Sequence, residues 1–232
     1  WWRNHYAQLR LCFANSYQTS PTYANDGVYT HLSSGEYYAC GIQSDSSLWC
    51  WGYNSYGQLG TAEAIDYTQV DGTWVQVFSG YEHTCGIQQD DSLWCWGRDN
   101  QGQLGNGGTD DTTSVPQLIS SDAWIKGSLG DEFSCAIKVD NSLWCWGSNT
   151  SGKVGVGVST SAFTVPRQVN GSWKDVTLGS YSACGIKTDG TLWCWGSNSY
   201  GQLGDGTNSL SRSPKQVGSD TWTDVSMGHG HV

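Results

Sequence analysis

The chain has 232 residues, with 11 Lys and Arg against 21 Asp and Glu and a net charge of −10. Affinity for nucleic acid and for anionic membranes rests on basic groups that neutralise phosphate, so this balance argues against both as partners. No apolar run reaches the roughly 18 residues that a membrane-spanning helix needs.

Along the chain, residues 1–38 read as a partial, degenerate unit of something repeated. WWRNHYAQL at 1–9 aligns with WGSNSYGQL at 195–203, and VYTHLSSG at 28–35 aligns with WVQVFSG at 74–80. The stretch CGIQSDSSLWCWGYNSYGQLG begins at Cys40. It returns as CGIQQDDSLWCWGRDNQGQLG at Cys85, CAIKVDNSLWCWGSNTSGKVG at Cys135 and CGIKTDGTLWCWGSNSYGQLG at Cys184. Taken from these cysteines, the units are 39–83, 84–133, 134–182 and 183–232, the last running into a truncated next one. A fixed period of this length points to propeller blades or a stacked array. Both ends cut through a repeat, so the chain is expected to be a window on a longer protein rather than a smaller ring.

Within a unit, apolar and small residues alternate on either side of an Asp/Ser turn, which reads as a β-hairpin. A turn near Asp45 sets Cys40 opposite Cys50, Ile42 opposite Leu48 and Gly41 opposite Trp49. Facing residues of an antiparallel ladder have Cβ atoms about 4.5–5.5 Å apart, close to the roughly 3.5–4.5 Å of a disulfide. Four bridges are therefore expected: Cys40–Cys50, Cys85–Cys95, Cys135–Cys145 and Cys184–Cys194. The alternative is four pairs of buried free thiols. Cys12 has no partner at this spacing; it is free or pairs outside the chain.

The 14 Trp residues follow the repeat and are expected to be core between stacked sheets. Each unit offers four short strands: a WVQVFSG-type piece, the two arms of the hairpin, and a Val-rich piece such as TVPRQV at 164–169. One four-stranded antiparallel sheet per repeat is a propeller blade. The predicted fold class is all-β, a β-propeller of four-stranded antiparallel blades, four to five of them covered here.

The pattern C-x-I-x-x-D-x-S-L-W-C-W-G-x-N-x-x-G-Q-L-G resembles the regulator-of-chromosome-condensation repeat, across nearly all of residues 1–232. The resemblance implies a seven-bladed propeller in the full protein. The founding member of that family acts in the nucleus on a small GTPase and on nucleosomes. The paired cysteines here are more similar to its secreted and ectodomain members, such as the crinkly-type receptor kinases of plants.

Four disulfides imply an oxidising compartment, and two N-glycosylation sequons, at Asn149 and Asn170, agree with one. The expected localisation is extracellular or cell surface, with the mitochondrial intermembrane space as the competing compartment. Its paired-cysteine motifs sit on helices, unlike these.

No catalytic residue, metal site or cofactor is expected. His5, His31, His83, His229 and His231 follow the repeat or its degenerate start, and none has a spaced partner suggesting zinc. The acidic loops NGGTDD at 106–111 and GDGT at 204–207 have oxygen ligands suited to calcium, but read better as polar turns.

The loops joining strands one to two and three to four emerge on one face. They gather Tyr37, Tyr53, Tyr56, Tyr81, Glu82, Glu132, Phe133, Tyr181 and Tyr200, expected to form a binding face for another protein or a glycan. The bland alternative is that these are exposed turn residues. The expected function is a non-enzymatic extracellular interaction module. The rival is a structural subunit of a surface or appendage filament, with self-assembly. A GTPase exchange factor or chromatin-binding regulator fits less well.

Overall fold

The Asp/Ser turn explains why each hairpin forms where it does. In the computed structural model, which describes residues 28–62 and 67–228, Asp45 Oδ1 accepts from the Ser47 amide at 3.0 Å and its hydroxyl at 2.7 Å. The Ser47 oxygen in turn accepts from Trp49 Nε1 at 3.0 Å. The same three-residue relay recurs at Asp90–Ser92–Trp94, Asp140–Ser142–Trp144 and Asp189–Thr191–Trp193. It accounts for the D-x-S/T-L-W motif: the acid nucleates the turn, and the tryptophan ties the outgoing strand to it.

The strands are β1 (Tyr29–Ser34), β2 (Tyr38–Gln43), β3 (Leu48–Gly52), β4 (Tyr67–Val70), β5 (Trp74–Ser79), β6 (His83–Gln88), β7 (Leu93–Arg98), β8 (Thr112–Ser120), β9 (Trp124–Leu129), β10 (Phe133–Lys138), β11 (Leu143–Ser148), β12 (Ala162–Val169), β13 (Trp173–Leu178), β14 (Ser182–Lys187), β15 (Thr191–Gly196) and β16 (Ser211–Thr221). They form four antiparallel meanders, β1–β4, β5–β8, β9–β12 and β13–β16. These are the blades of a propeller. The predicted register holds, with Cys40 opposite Cys50, Gly41 opposite Trp49 and Ile42 opposite Leu48.

The four expected disulfides are present, with Cα–Cα separations of 4.0–4.1 Å. Cys12 and the stretch 1–27 lie outside the described residues, as do His229 and His231.

The sheets differ in phase from the units counted by cysteine. Boundaries at 38/39, 83/84, 133/134 and 182/183 each fall one residue inside a second strand. The cysteine motif marks the hairpin, whereas a blade also needs the strand before it, so a sheet starts about ten residues upstream of each unit.

The core lies between blades. Cys40, Cys50, Ile42 and Leu48 of the first blade pack against Trp74, Val77 and Trp96 of the second. The third blade presents Cys135 and Cys145 to Trp173 and Trp195 of the fourth in the same way. Within a blade, the two inward tryptophans meet edge to face, as Trp74 and Trp96 do at 5.4 Å between centroids.

The G-Q-L-G loop locks successive blades. Gln58 presents its carbonyl to Trp96 Nε1 at 3.0 Å and Thr84 Oγ1 at 2.8 Å, both in the next blade. Gln103 does so to Trp146 and Ser134, and Lys153 to Trp195. Glycine is needed for the loop's close approach. Gly102 has φ +75°, and a Cβ there would lie 2.8 Å from Thr164 Cα of the following blade. The segment 222–228 continues the pattern: Met227 N donates to Thr177 Oγ1 at 3.2 Å, as Leu178 N does to Ser128 Oγ at 3.1 Å and Ser79 N to Ser33 Oγ at 2.8 Å.

Candidate binding face

Alternation of strand direction puts the β1–β2 and β3–β4 loops, and their equivalents in each blade, at one end of the sheets. The Asp/Ser hairpin turns stand at the other. At the loop end the first strands converge on an axial cavity of about 670 Å³, lined by Glu36, Tyr81, Asp131, Ser180 and Gly228 among others. Its walls approach closely because the strand ends carry glycine. A Cβ on Gly130 would stand 2.5 Å from the Gly179 carbonyl of the next blade.

Of the predicted face residues Tyr81 lines this cavity; most of the others stand in loops at the same end of the sheets. Tyr37, Tyr53 and Tyr56 form a chain of edge contacts, each 6.3 Å between centroids. Arg98 sits 4.8 Å from the Tyr56 ring and forms a salt bridge with Glu82. The Glu36 carboxylate beside Tyr81 raises the phenol's pKa. Glu132 is half-buried, Tyr181 is 51 % exposed and Tyr200 is 90 % exposed.

Phe133 is not on this surface. It is 0 % exposed. It opens β10, and the opening residue of each second strand turns inward between blades, as Tyr38, His83 and Ser182 also do. In the fourth blade Ser180, at 1 % exposed, is buried as well, and Tyr181 alone of the loop between first and second strands is exposed.

Asn149 is likewise corrected as a glycan acceptor. It is 4 % exposed, and its Nδ2, the atom a glycan would occupy, donates to the Val158 and Thr160 carbonyls at 3.1 and 2.8 Å. It is the framework Asn of the W-G-x-N motif. Asn170 is exposed, in the turn between β12 and β13.

Two features escaped the sequence reading. Lys153 replaces the Gln of the G-Q-L-G motif and is buried beneath the rim. Its Nζ donates to the Ser180 carbonyl at 3.3 Å and lies 4.9 Å from the Phe133 ring and 5.6 Å from that of Tyr181. Burial lowers its pKa against the raising effect of Glu132 and Asp131. The only signal was its departure from the repeat. Beside it, His83 Nε2 and Ser134 Oγ lie 2.9 Å apart. The serine's proton goes to the Gln103 carbonyl at 2.7 Å, so the imidazole donates and the pair is a structural tie rather than an activated nucleophile. Among the described residues no three Asp, Glu, His or Cys side chains gather as a metal site, and no helix is long and apolar enough to cross a membrane.

Two sequence profiles, both described as the Regulator of chromosome condensation (RCC1) repeat, match the chain. One covers residues 29–58, 74–103, 124–153 and 173–202, the other 45–87, 90–137 and 189–232. No curated protein sequence matches. Among solved structures, human WBSCR16 superposes with a TM-score of 0.84 at 18 % identity, covering 97 % of this chain and 63 % of its own. Prp20p from Saccharomyces cerevisiae gives 0.78 at 18 %, covering 92 % and 56 %. The ectodomain of the receptor kinase CR4 from Physcomitrella patens gives 0.51 at 22 %, covering 74 % and 42 %. At these identities the likeness is one of fold. The chain spans less than two thirds of the length of each.

Proposed function

Because the chain belongs to the regulator of chromosome condensation (RCC1) repeat family, we propose that it is a non-enzymatic, extracellular protein-interaction module that binds through the axial cavity and its tyrosine-rich rim. The observation that carries this reading is the exposure of Tyr37, Tyr181 and Tyr200 in loops at the same end of the sheets as a cavity lined by Glu36 and Asp131, on a frame stapled by four disulfides. Aromatic side chains held on a rigid frame lose little entropy on binding and dominate interface energetics. Glu36, Asp131 and Glu132 give the rim a negative field, and Arg98 is already engaged with Glu82. A partner with basic groups is favoured.

The disulfides support an oxidising environment, and the exposed sequon at Asn170 agrees with one. The solved structure of Prp20p is titled for its binding properties to Gsp1p and histones, which supports protein binding by this fold. The receptor-kinase ectodomain shares the fold in the compartment proposed here.

A photo-crosslinking residue at Tyr181 or Tyr200, and in a control at Asp189 on the hairpin-turn end, tests the reading on native surface material. Adducts with a distinct protein from the first two positions, and none from the third, are expected. Adducts equal at all three sink the rim assignment. Adducts made only of further copies of this chain replace it with the filament-subunit reading, and adducts to carbohydrate with the glycan reading.

A further inference from the structure

Three of the four blades close the loop between their third and fourth strands around an asparagine amide. Asn54 Nδ2 donates to the Thr61 carbonyl at 3.1 Å. Asn149 donates to Val158 and Thr160 at 3.1 and 2.8 Å, and Asn198 to Thr207 and Ser209 at 2.9 and 3.2 Å. In each, Oδ1 accepts from a backbone amide five residues on, Leu59, Val154 or Leu203, at 2.9–3.1 Å. An amide suits the position because it offers an acceptor and two donors at once.

In the second blade the residue is Asp99. Oδ1 keeps the accepting role, from Leu104 N at 3.0 Å. Oδ2 stands where the amide nitrogen stands elsewhere, and an ionised oxygen has nothing to donate. Asp99 is 0 % exposed and Oδ2 is buried without a hydrogen-bond partner. The loop is closed in the same register, Asp99 N to Asp111 O at 3.1 Å matching Asn149 N to Ser161 O at 2.7 Å. The carbonyls of Gly108 and Asp110 therefore hold the places of Val158 and Thr160. Asp110 Oδ2 lies near Gly108, 3.8 Å from the point where a Cβ there would sit, while Asn106 Oδ1 accepts from the Gly108 amide at 2.8 Å.

Two loop carbonyls thus stand by a carboxylate oxygen where the other blades have N–H donors, with the Asn106 side chain as a nearby donor. Burial is the largest cause that drives the Asp99 carboxyl up, to about 6. Asp110 adds to the rise, and the Leu104 amide and the nearby Asn106 side chain oppose it. A buried carboxylate with one oxygen unpartnered gains from a counter-ion or a proton. The acidic loop of the fourth blade has no such vacancy, since Asp205 is taken by Lys215 Nζ at 2.6 Å and by Thr207 N at 2.9 Å.

We propose that the loop 99–111 is a calcium site, with Asp99 Oδ2, the Asp110 carboxylate and the Gly108 and Asp110 carbonyls as protein ligands. The two carboxylates match the charge of the ion, and calcium completes its six to eight oxygens, at roughly 2.3–2.6 Å, with water. Magnesium's stricter octahedron suits a loop of carbonyls less.

Calorimetric titration of the chelator-stripped chain with calcium chloride tests this, alongside Asp99→Asn and Asp110→Asn. Wild type is expected to bind in the range of about 10⁻⁴ to 10⁻³ M found for extracellular modules. Asp99→Asn should lose binding and melt no lower than the calcium-free wild type, because it restores the donors used in the other blades. Asp110→Asn, which leaves Asp99 in place, should weaken binding on the order of tenfold and reports on the site even if the first variant folds poorly. Absence of binding up to about 10 mM calcium, or binding unchanged in both variants, overturns the proposal in favour of a protonated Asp99. Equal affinity for magnesium chloride overturns the choice of calcium.

Discussion

Trp96 donates its indole N–H to the Gln58 carbonyl of the preceding blade at 3.0 Å. That bond joins the two most repeated pieces of the sequence, the second tryptophan of L-W-C-W and the glutamine of G-Q-L-G, across a blade boundary. Trp96→Ala is expected to cost about 3–5 kcal/mol by removing a fully buried indole. Trp96→Phe should cost about 1–2 kcal/mol, mostly the hydrogen bond, since Thr84 still serves the Gln58 oxygen. Urea unfolding of both variants checks this. A Phe variant as destabilised as the Ala variant would assign the whole effect to the hydrogen bond and none to packing.

The Cys135–Cys145 bridge closes a loop of ten residues' separation inside one hairpin. In the chain-entropy description, such a loop contributes about 2–3 kcal/mol by restricting the unfolded state. Replacing both cysteines by Ala should lower the unfolding free energy by about that much and leave the sheet register intact. Replacing all four pairs removes a sum comparable to the roughly 5–15 kcal/mol stability of an ordinary domain, so that variant should not fold. The measurement is denaturant unfolding of the four single-pair variants and the combined one. Retention of a cooperative transition in the eight-cysteine variant counts against the staple role.

Hairpin register, disulfide pairing and blade topology were legible because each rests on local period-2 alternation and on turn chemistry that recurs four times. What was not legible depends on which side of a strand end a residue falls. Phe133 sits in a loop-tip triplet, but its ring turns inward because it already belongs to β10. Asn149 reads as a sequon, yet its amide is consumed by loop carbonyls ten residues away, contacts that no local pattern announces. The phase of the blades was displaced for a related reason: the cysteine motif is the most visible part of the repeat but begins at its second strand. Lys153 and Asp99 are departures from the repeat whose meaning appears only when the neighbouring blade is in place.

His83 is held neutral in the core, its pKa lowered to about 3, first by burial and then by the nearby Lys153 cation. The native state therefore declines a proton that the unfolded chain accepts near pH 6.5. Stability from this group is complete above about pH 6.5 and falls as pH drops towards 3, by up to about 1.4 kcal/mol per pH unit. Asp99, raised to about 6, acts with the opposite sign: its contribution is lost as pH rises from about 4 to 6. The two are separable by mutation. His83→Gln keeps a donor for Ser134 and should flatten the loss of stability between pH 6.5 and 4, as read from urea unfolding at half-unit pH steps. Curves that stay parallel to wild type across that window contradict a neutral buried imidazole.

The two sequons make opposite predictions. Asn149 donates twice and accepts once inside its loop, with Val154 N reaching its Oδ1 at 3.1 Å. Asn170 stands in an exposed turn and makes no such closure. On secretion from a glycosylating host, intact mass and peptide mapping should find glycan at Asn170 and none at Asn149. Asn170→Gln should leave unfolding midpoints unchanged. Asn149→Ala should cost about 1–3 kcal/mol, because it strands buried carbonyls and an amide, and it should do so even in unglycosylated material. That last comparison separates a framework side chain from a sugar anchor: if Asn149 mattered through a glycan, bacterial and secreted preparations would respond differently to its loss. A glycan found at Asn149 in folded, secreted chain contradicts the loop geometry directly, since the atom that would carry it is already bonded on both sides.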